Sequence, residues 1–369
     1  MHASPASASS EPGSEFPVQS SRLDNHPTAN REQGTVNRIL ICGVNWIGDS
    51  VMSMPALHAF RKANPSAHLT MLAKPGLVPL WKLDAVFDGI LPLREGLAGT
   101  LKTVAAVRRL HFHKAYILPH SFRSAVIPWL AGIPVRIGMP GHFRDFMLSE
   151  VVWPMERPGR AHQAYEYLDL LMPSAAEAAI EPLHLELPAD ALAAARNRIA
   201  GLASPRVALI PGAARGPSKQ WPREHFIKLG RMLSEQKKCG ILVLGISREA
   251  ALCEEVARSI GPSALNLAGH TGLAEWIATL KACDLVVAND SGGMHLAAAV
   301  GTPVVALYGI TDPSKTGPLG RVCRVLQNSD LRARDIPRDS PEARTALAAI
   351  HPDQACAAAI ECLAESKPS

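Results

Sequence analysis

From Arg38 onward the chain repeats one local device. A short apolar run stops at a glycine, a proline or an Asn-Asp pair and passes at once into a helical pattern. Arg38-Ile39-Leu40-Ile41-Cys42-Gly43 is the first such run, and Arg206–Pro211, Gly240–Gly245 and Leu285–Ala288 repeat it. Runs bounded by turn residues, with no polar alternation, are buried on both faces and belong inside a parallel sheet. Parallel strands need long crossovers, and the helical patterns between the runs supply them. In the first half the runs are Arg38–Gly43, His68–Ala73, Gly89–Leu93 and Lys114–Pro119, with helical spacing over Leu101–Leu110 and a helix ending near Asn64-Pro65. Pro173–Pro188 breaks the pattern and reads as a linker. The alternation then restarts: helices over Pro222–Glu235, Arg248–Ile260 and Met294–Val300, and a last strand over Pro303–Gly309. The sequence therefore predicts an α/β chain with two Rossmann-like parallel-sheet halves facing a central cleft, residues 38–188 and 189–350, closed by a helix and tail over 351–369.

Composition narrows the class. Among 369 residues, 47% are apolar and 19% charged, which suits a globular chain. No stretch reaches the ~18 apolar residues of a membrane span; Ala125–Ile137 comes nearest and is broken by Pro128, Pro134 and Arg136. Residues 1–37 are rich in Ser, Pro, Asn and Glu, lack an apolar signal core, and read as a disordered extension. The seven cysteines are scattered with no C-x-x-C spacing, which gives neither a zinc site nor a disulfide framework and fits a reducing cytoplasm. The net charge of +5 is concentrated: Lys102–Arg160 holds nine Lys/Arg against three acids. Such a stretch is either a solvated basic face or a surface for an anionic partner.

Three loops carry candidate chemistry. At Asn289-Asp290-Ser291-Gly292-Gly293 a strand feeds directly into a helix, whose first turn offers unpaired N–H groups and the positive end of the dipole. Glycines there admit a close ligand, so the loop suits a pyrophosphate, with His295 as an added donor. The plainer alternative is that Asp290 or Ser291 simply caps the helix. At Ile210–Pro222 another strand tip leads into a helix, with Arg215 and Lys219 placed to meet charge developing on a phosphate leaving group. Here the alternative is a loop anchored by Trp221 with Lys219 solvated.

Gly43–Asp49 forms the third loop. It lacks G-x-G-x-x-G spacing and a clear acid about twenty residues on, so it is no dinucleotide fingerprint. Asp49 either caps a helix or places a carboxylate at the mouth of the cleft. Pro55 predicts a helix that starts late or kinks, with Asp49–Met54 as its lead-in. There is no Asp-x-Asp, no P-loop, no H-E-x-x-H and no G-x-S-x-G. A bound sugar diphosphate would have to be met by Lys, Arg and helix ends.

Taken together and in order, these residues resemble glycosyltransferase family 9, the ADP-heptose lipopolysaccharide heptosyltransferases, from about Arg38 to Leu363. The strongest points are Trp46–Asp49 with Met54–Leu57, Pro211–Ala213 with Lys219–Pro222, and Asn289–Gly292 with Met294-His295 and Ala306–Gly309. Leu118–Ala125 and Ala131–Pro134 resemble the branch acting on an already heptosylated inner core, with His120 where that branch has Asn. The resemblance implies a metal-independent GT-B fold, with the acceptor held by the first half and ADP-heptose by the second, and no cofactor. It carries the general base onto Asp49 and donor binding onto Lys219, Asp290, Ser291, Gly292, Met294 and His295. It also implies an anionic acceptor, a Kdo-bearing lipid A inner core, for which Arg123, Arg136 and Arg144 are candidates. Peripheral association with the inner face of the inner membrane would follow; nucleic acid is not an expected partner.

Two alternatives remain open beside it. One is a family 9 transferase with another sugar acceptor. The other is a nucleotide-sugar binding protein of the same fold without transferase activity. A sugar-nucleotide epimerase would need a second acid/base group that the sequence does not offer, and a nicotinamide oxidoreductase lacks its glycine fingerprint.

Overall fold

The structure, a computed structural model, describes residues 37–155, 159–173, 179–182, 184–214, 216–337 and 340–365. The extension expected over 1–37 lies outside these residues except for Asn37, and Arg215 lies outside them too.

The first half runs β1 (Arg38–Cys42), α1 (Ile47–Ala63), β2 (His68–Ala73), α2 (Val78–Leu83), β3 (Gly89–Pro92), α3 (Gly96–Arg109), β4 (Lys114–Ile117), α4 (Phe122–Leu130), β5 (Val135–Gly138) and β6 (Glu150–Val151). Helix α5 (Ala164–Leu171) follows. The second half runs α6 (Ala189–Arg198), β7 (Arg206–Ile210), α7 (Arg223–Lys237), β8 (Gly240–Val243), α8 (Ala250–Ile260), β9 (Ala264–Asn266) and α9 (Leu273–Lys281). It continues with β10 (Leu285–Asn289), α10 (Gly292–Ala299), β11 (Val304–Leu307), α11 (Pro313–Thr316), β12 (Cys323–Leu326), α12 (Pro341–Ala348) and α13 (Pro352–Glu365).

Both sheets have six strands and pair parallel throughout. Their orders are β3-β2-β1-β4-β5-β6 and β12-β11-β10-β7-β8-β9, the same doubly wound order in each. In such a sheet the winding reverses between two central strands, leaving a crevice at their carboxyl ends where ligands bind. The reversals fall between β1 and β4 and between β7 and β10.

The central strands are apolar because both of their faces are covered. Ile39, Leu40 and Ile41 of β1 and Leu285–Ala288 of β10 are buried. Helix α1 packs against α5 and α10, and one continuous apolar core runs from the first sheet through these helices to the second. Separate clusters fill the outer faces, under α3 and α4 in one half and under α7, α8 and α13 in the other.

One expectation is corrected here. Helix α1 neither starts late nor breaks before Pro55; it runs unbroken through it. An interior proline costs about 3 kcal/mol. Burial of Val51, Met52, Met54, Leu57 and Phe60 along the same helix returns about 1.5–3 kcal/mol each, so packing wins. Asp49 therefore stands in the first helical turn itself.

Of the expected linker, the described part is held against the second half. The Leu185 N–H donates to the Ala299 carbonyl at 2.7 Å, and Leu185 is buried. The cysteines sit in the cores: all but Cys323 are buried, and burial pushes the Cys42, Cys253 and Cys283 thiols up to about 12. Among the described residues, no helix is long and apolar enough to cross a membrane.

Candidate active site

The loops singled out in the sequence leave the carboxyl ends of the strands that flank the two reversals: β1 leads to Asp49, β4 to Arg123, β7 to Lys219 and β10 to Asp290. A cleft of about 640 Å³ is lined by Gly48, Asp49, Gly212, Lys219, Asp290–Gly293 and His295, among others.

Its walls meet through glycines. A Cβ on Gly292 would lie 2.8 Å from the Ile47 Cβ, and one on Gly48 would lie 3.0 Å from His295 Cδ2. The first turns of α1 and α10 can approach this closely only because both positions lack a side chain. Two helix N-termini thus border one cleft, a favourable field for negative charge.

On the first wall, Asp49 is partly exposed in the opening turn of α1. Its charge reaches α5. Burial raises the Glu166 carboxyl above its ordinary value, Lys315 opposes this, and Asp169 and Asp49 add to it. Burial and then Asp49 drive the Tyr167 phenol up as well. The amino end of α5 holds the cleft-lining strap after β11: the Gln163 N–H donates to the Lys315 carbonyl at 2.8 Å, and His162 Nε2 meets the Gly317 carbonyl at 3.0 Å.

On the second wall, Lys219 Nζ lies 2.5 Å from Asp290 Oδ2, with both side chains mostly buried. Lys219 is therefore not a solvated cation. Behind it Asn289 staples the loop: its Oδ1 accepts from the Trp221 N–H at 3.0 Å and its Nδ2 donates to the Pro211 carbonyl at 2.9 Å. Trp221 anchors the far end, its Nε1 donating to the Ile350 carbonyl at 2.8 Å. Ser291 occupies the N-cap position of α10 yet makes no side-chain cap, and Asp290 is engaged by Lys219. The capping alternative is thus absent, and the first turn of α10 has no side-chain cap at the cleft. His295 is buried, and that burial lowers its pKa to about 4 against the opposing pull of Asp290, so the ring is neutral near pH 7.

Among the described residues of this cleft, Ser291 Oγ and Trp276 Nε1 are buried without a hydrogen-bond partner. Buried donors are rarely left so; at a cleft wall they are groups a ligand can satisfy. Trp276, Thr271 and Glu249 line the same cleft and were not singled out from the sequence. A Cβ at Gly212 would overlap the Glu249 carboxylate, which also accepts from the Ile246 N–H at 3.0 Å. Only the fold brings β8 and β9 loops to this wall, and no local pattern marks these residues. Among the described residues no group of three or more His, Cys, Asp or Glu gathers as metal ligands would.

A second cavity of about 380 Å³ opens in the first half between the starts of α3 and α4, lined by Asn45, Lys74, Glu95, Ser121, Arg123 and Ser124, among others. Of the three arginines named from the sequence, Arg123 lines it and the other two are committed elsewhere. Arg144 is fully buried, with its guanidinium donating to the carbonyls of Met139 and Pro119 and to Ser124 Oγ. Arg136 donates to the carbonyls of Met147 at 2.6 Å and Ile133 at 2.5 Å. Both are internal braces, because carbonyls stranded in short loops need donors. Helix α10 begins two residues earlier than expected, and Met294 is wholly buried in the core and not among the residues lining the cleft.

Comparison with known proteins matches the model of glycosyltransferase family 9 (heptosyltransferase) to residues 100–343. Lipopolysaccharide heptosyltransferase 2 of Escherichia coli (strain K12) is 31% identical over 310 residues, covering 79% of this chain and 88% of that protein. Lipooligosaccharide heptosyltransferase 2 of Haemophilus ducreyi is 30% identical over 313 residues, 79% of this chain and 89% of that one. Among solved structures, that of E. coli ADP-heptose lps heptosyltransferase II superposes with a TM-score of 0.78 at 27% identity, over 90% of this chain and all of that one. A family 9 glycosyl transferase from Veillonella parvula shares the fold, with a TM-score of 0.79 at 22% identity over 89% of this chain and 98% of that one.

Proposed function

The chain belongs to glycosyltransferase family 9, and from that premise we propose that it is an inverting transferase moving heptose from ADP-heptose to the heptosylated, Kdo-bearing inner core of lipopolysaccharide. The observation that carries this reading is the pairing, across one cleft, of a carboxylate in the opening turn of α1 with an anion-binding wall built from Lys219 and the uncapped start of α10.

In this reading the second half holds the donor. Lys219 and the N–H groups of Gly292 and Gly293 meet the diphosphate, Ser291 Oγ and Trp276 Nε1 donate to the nucleotide sugar, and the Glu249 carboxylate accepts from sugar hydroxyls. Asp49 takes the proton from an acceptor hydroxyl as that oxygen attacks the anomeric carbon. The new C–O bond forms on the face opposite the breaking bond, so one displacement inverts the centre. ADP leaves with the electron pair, its growing charge met by Lys219 and the α10 dipole. The neutral His295 ring, pressed against Gly48, supports this wall without adding a second positive charge.

The first half holds the acceptor, with Arg123 and Lys74 facing its anionic groups in the smaller cavity. A lipid-borne acceptor brings the enzyme to the cytoplasmic face of the inner membrane as a peripheral protein. The names of the similar proteins support this choice of donor and acceptor.

The test is ADP release from ADP-heptose with defined Kdo–lipid A acceptors carrying no heptose or one. Release with the monoheptosyl acceptor alone, largely lost in Asp49→Ala, is the expected result. Retained activity in Asp49→Ala removes Asp49 as the base. Release with neither acceptor, despite tight donor binding, overturns the acceptor assignment.

A further inference from the structure

Helix α4 carries apolar side chains on two faces, and only one is covered. Ala125, Ile127 and Pro128 point into the core, while Phe122 and Trp129, about two turns apart, stand exposed with Leu130. A surface helix normally hides its single apolar stripe and shows polar residues outside. Phe146, 66% exposed, joins this outer face with its ring 6.3 Å from Phe122 and 6.0 Å from Trp129. Helix α3, packed beside α4, adds Leu97 at 80% exposure and Leu101 one turn later. Scattered apolar residues on a surface are ordinary, whereas a contiguous patch marks an interaction site.

The chain also accepts backbone strain to present this patch. Gly141, His142 and Phe143 all have positive φ, of 134°, 50° and 56°. L side chains avoid that region, and strain of this kind persists only where the surroundings impose it. Arg144, buried directly behind, imposes it by gripping the Met139 and Pro119 carbonyls, and Asp145 Oδ1 accepts from the Gly141 N–H at 3.2 Å. The loop so fixed holds Phe143 93% exposed.

Cations frame the patch. Arg123 follows Phe122, Arg108 donates to the Leu130 carbonyl at the other end of α4, and Arg109 is exposed beside it. Glu95, Asp145 and Glu150 are the acids nearby in the chain. The patch borders the smaller cavity: Leu97 adjoins Gly96, and Phe122 lies between Ser121 and Arg123, all three of these neighbours being lining residues.

We propose that this surface seats the protein on a bilayer of anionic phospholipid. Phe122, Trp129, Phe143 and Phe146 lie at headgroup depth and Arg108 and Arg109 pair with lipid phosphates, so that the cavity mouth, with Arg123 on its wall, opens onto the membrane. Aromatic rings with basic neighbours are the side-chain set that suits this interface. A second copy of the chain fits it less well, since a two-fold contact sets a patch against itself and would bring arginines together. The inference gives the peripheral attachment proposed above a specific surface, and rests on that reading only for the lipid nature of the acceptor.

The experiment is co-sedimentation of the full-length protein with phosphatidylcholine vesicles, with and without phosphatidylglycerol. It compares wild type with Phe143→Asn/Phe146→Ser, Asn being chosen because it tolerates positive φ. Wild type is expected to partition about tenfold more strongly onto the anionic vesicles. The double variant should lose about that factor while keeping its melting temperature and its turnover of a delipidated acceptor. Equal binding by wild type and variant, or no preference for anionic lipid, overturns the proposal. So does a wild-type dimer by light scattering that the variant abolishes, which would assign the patch to a second copy. Vesicle binding without transfer to any acceptor would leave the docking surface standing and remove the heptosyl reading instead.

Discussion

Gly48 and His295 are the contact through which the two halves of the cleft register on each other: a Cβ on Gly48 would stand 3.0 Å from the imidazole Cδ2. Across the same seam, a Cβ on Gly292 would come 2.8 Å from the Ile47 Cβ. The second clash involves a branched side chain close to its own backbone, so it cannot be relieved by a rotamer change alone. Gly292→Ala is therefore expected to push the first turns of α1 and α10 apart. A misplacement of about 1 Å costs about 10²-fold in rate. Steady-state kinetics should show kcat/KM falling by about that factor while the fold, read by circular dichroism, is kept.

Lys219 and Asp290 make a separable prediction for stability and catalysis. Lys219→Ala leaves a mostly buried carboxylate without its cation, a loss of about 3–5 kcal/mol for fully buried pairs and less here, where some solvent reaches both groups. Replacing the pair, Lys219→Met with Asp290→Asn, should restore most of the urea midpoint. Transfer should stay down by about 10²–10³-fold in both variants, because the positive charge facing the leaving group is gone.

Buried His295 makes the fold sensitive to acid. Its pKa falls from 6.5 to about 4 on folding, so between those values the unfolded chain binds the extra proton. Stability is full above about pH 6.5 and declines as pH drops toward 4, by about 3 kcal/mol in all. His120 and His162, also lowered by burial, act in the same direction. Urea denaturation at pH 7 and pH 4.5 should show wild type losing about 2–3 kcal/mol more than His295→Gln. Equal losses would contradict this.

The arginines named from the sequence divide by where their donors go. Arg144→Ala strands the Met139 and Pro119 carbonyls and empties a buried site, at about 1–3 kcal/mol for each unsatisfied group. A fall in melting temperature is the expected readout. Arg123→Ala should leave the melting temperature unchanged and raise the acceptor KM with little change in kcat, as removal of uniform binding does.

What the sequence revealed follows from locality. β2 is legible to the residue, His68–Ala73, since a run buried on both faces and bounded by turns has no other use. The strands that escaped notice, β5, β6, β9 and β12, are short and partly exposed, so no apolar run announces them. Pro55 was misleading because its local penalty is smaller than the burial of α1 between the sheets. Asp49, Lys219 and Asp290 stood out because each follows a strand tip. Glu249 and Thr271 reach the same cleft from the segments after β8 and β9, and Trp276 from helix α9, with no pattern of their own. The three arginines could not be told apart in advance because charge on paper does not say whether a guanidinium faces a cavity or a stranded carbonyl.

The sequestered cysteines have a practical corollary. Six of the seven side chains are buried, and burial also lifts the partly covered Cys323 thiol to about 11, so at neutral pH scarcely any thiolate is presented to a reagent. A single cysteine substituted for Leu97 or Phe143 would then be the one residue that a maleimide dye labels rapidly. The wild-type chain is in effect already a low-background host for fluorescent depth probes.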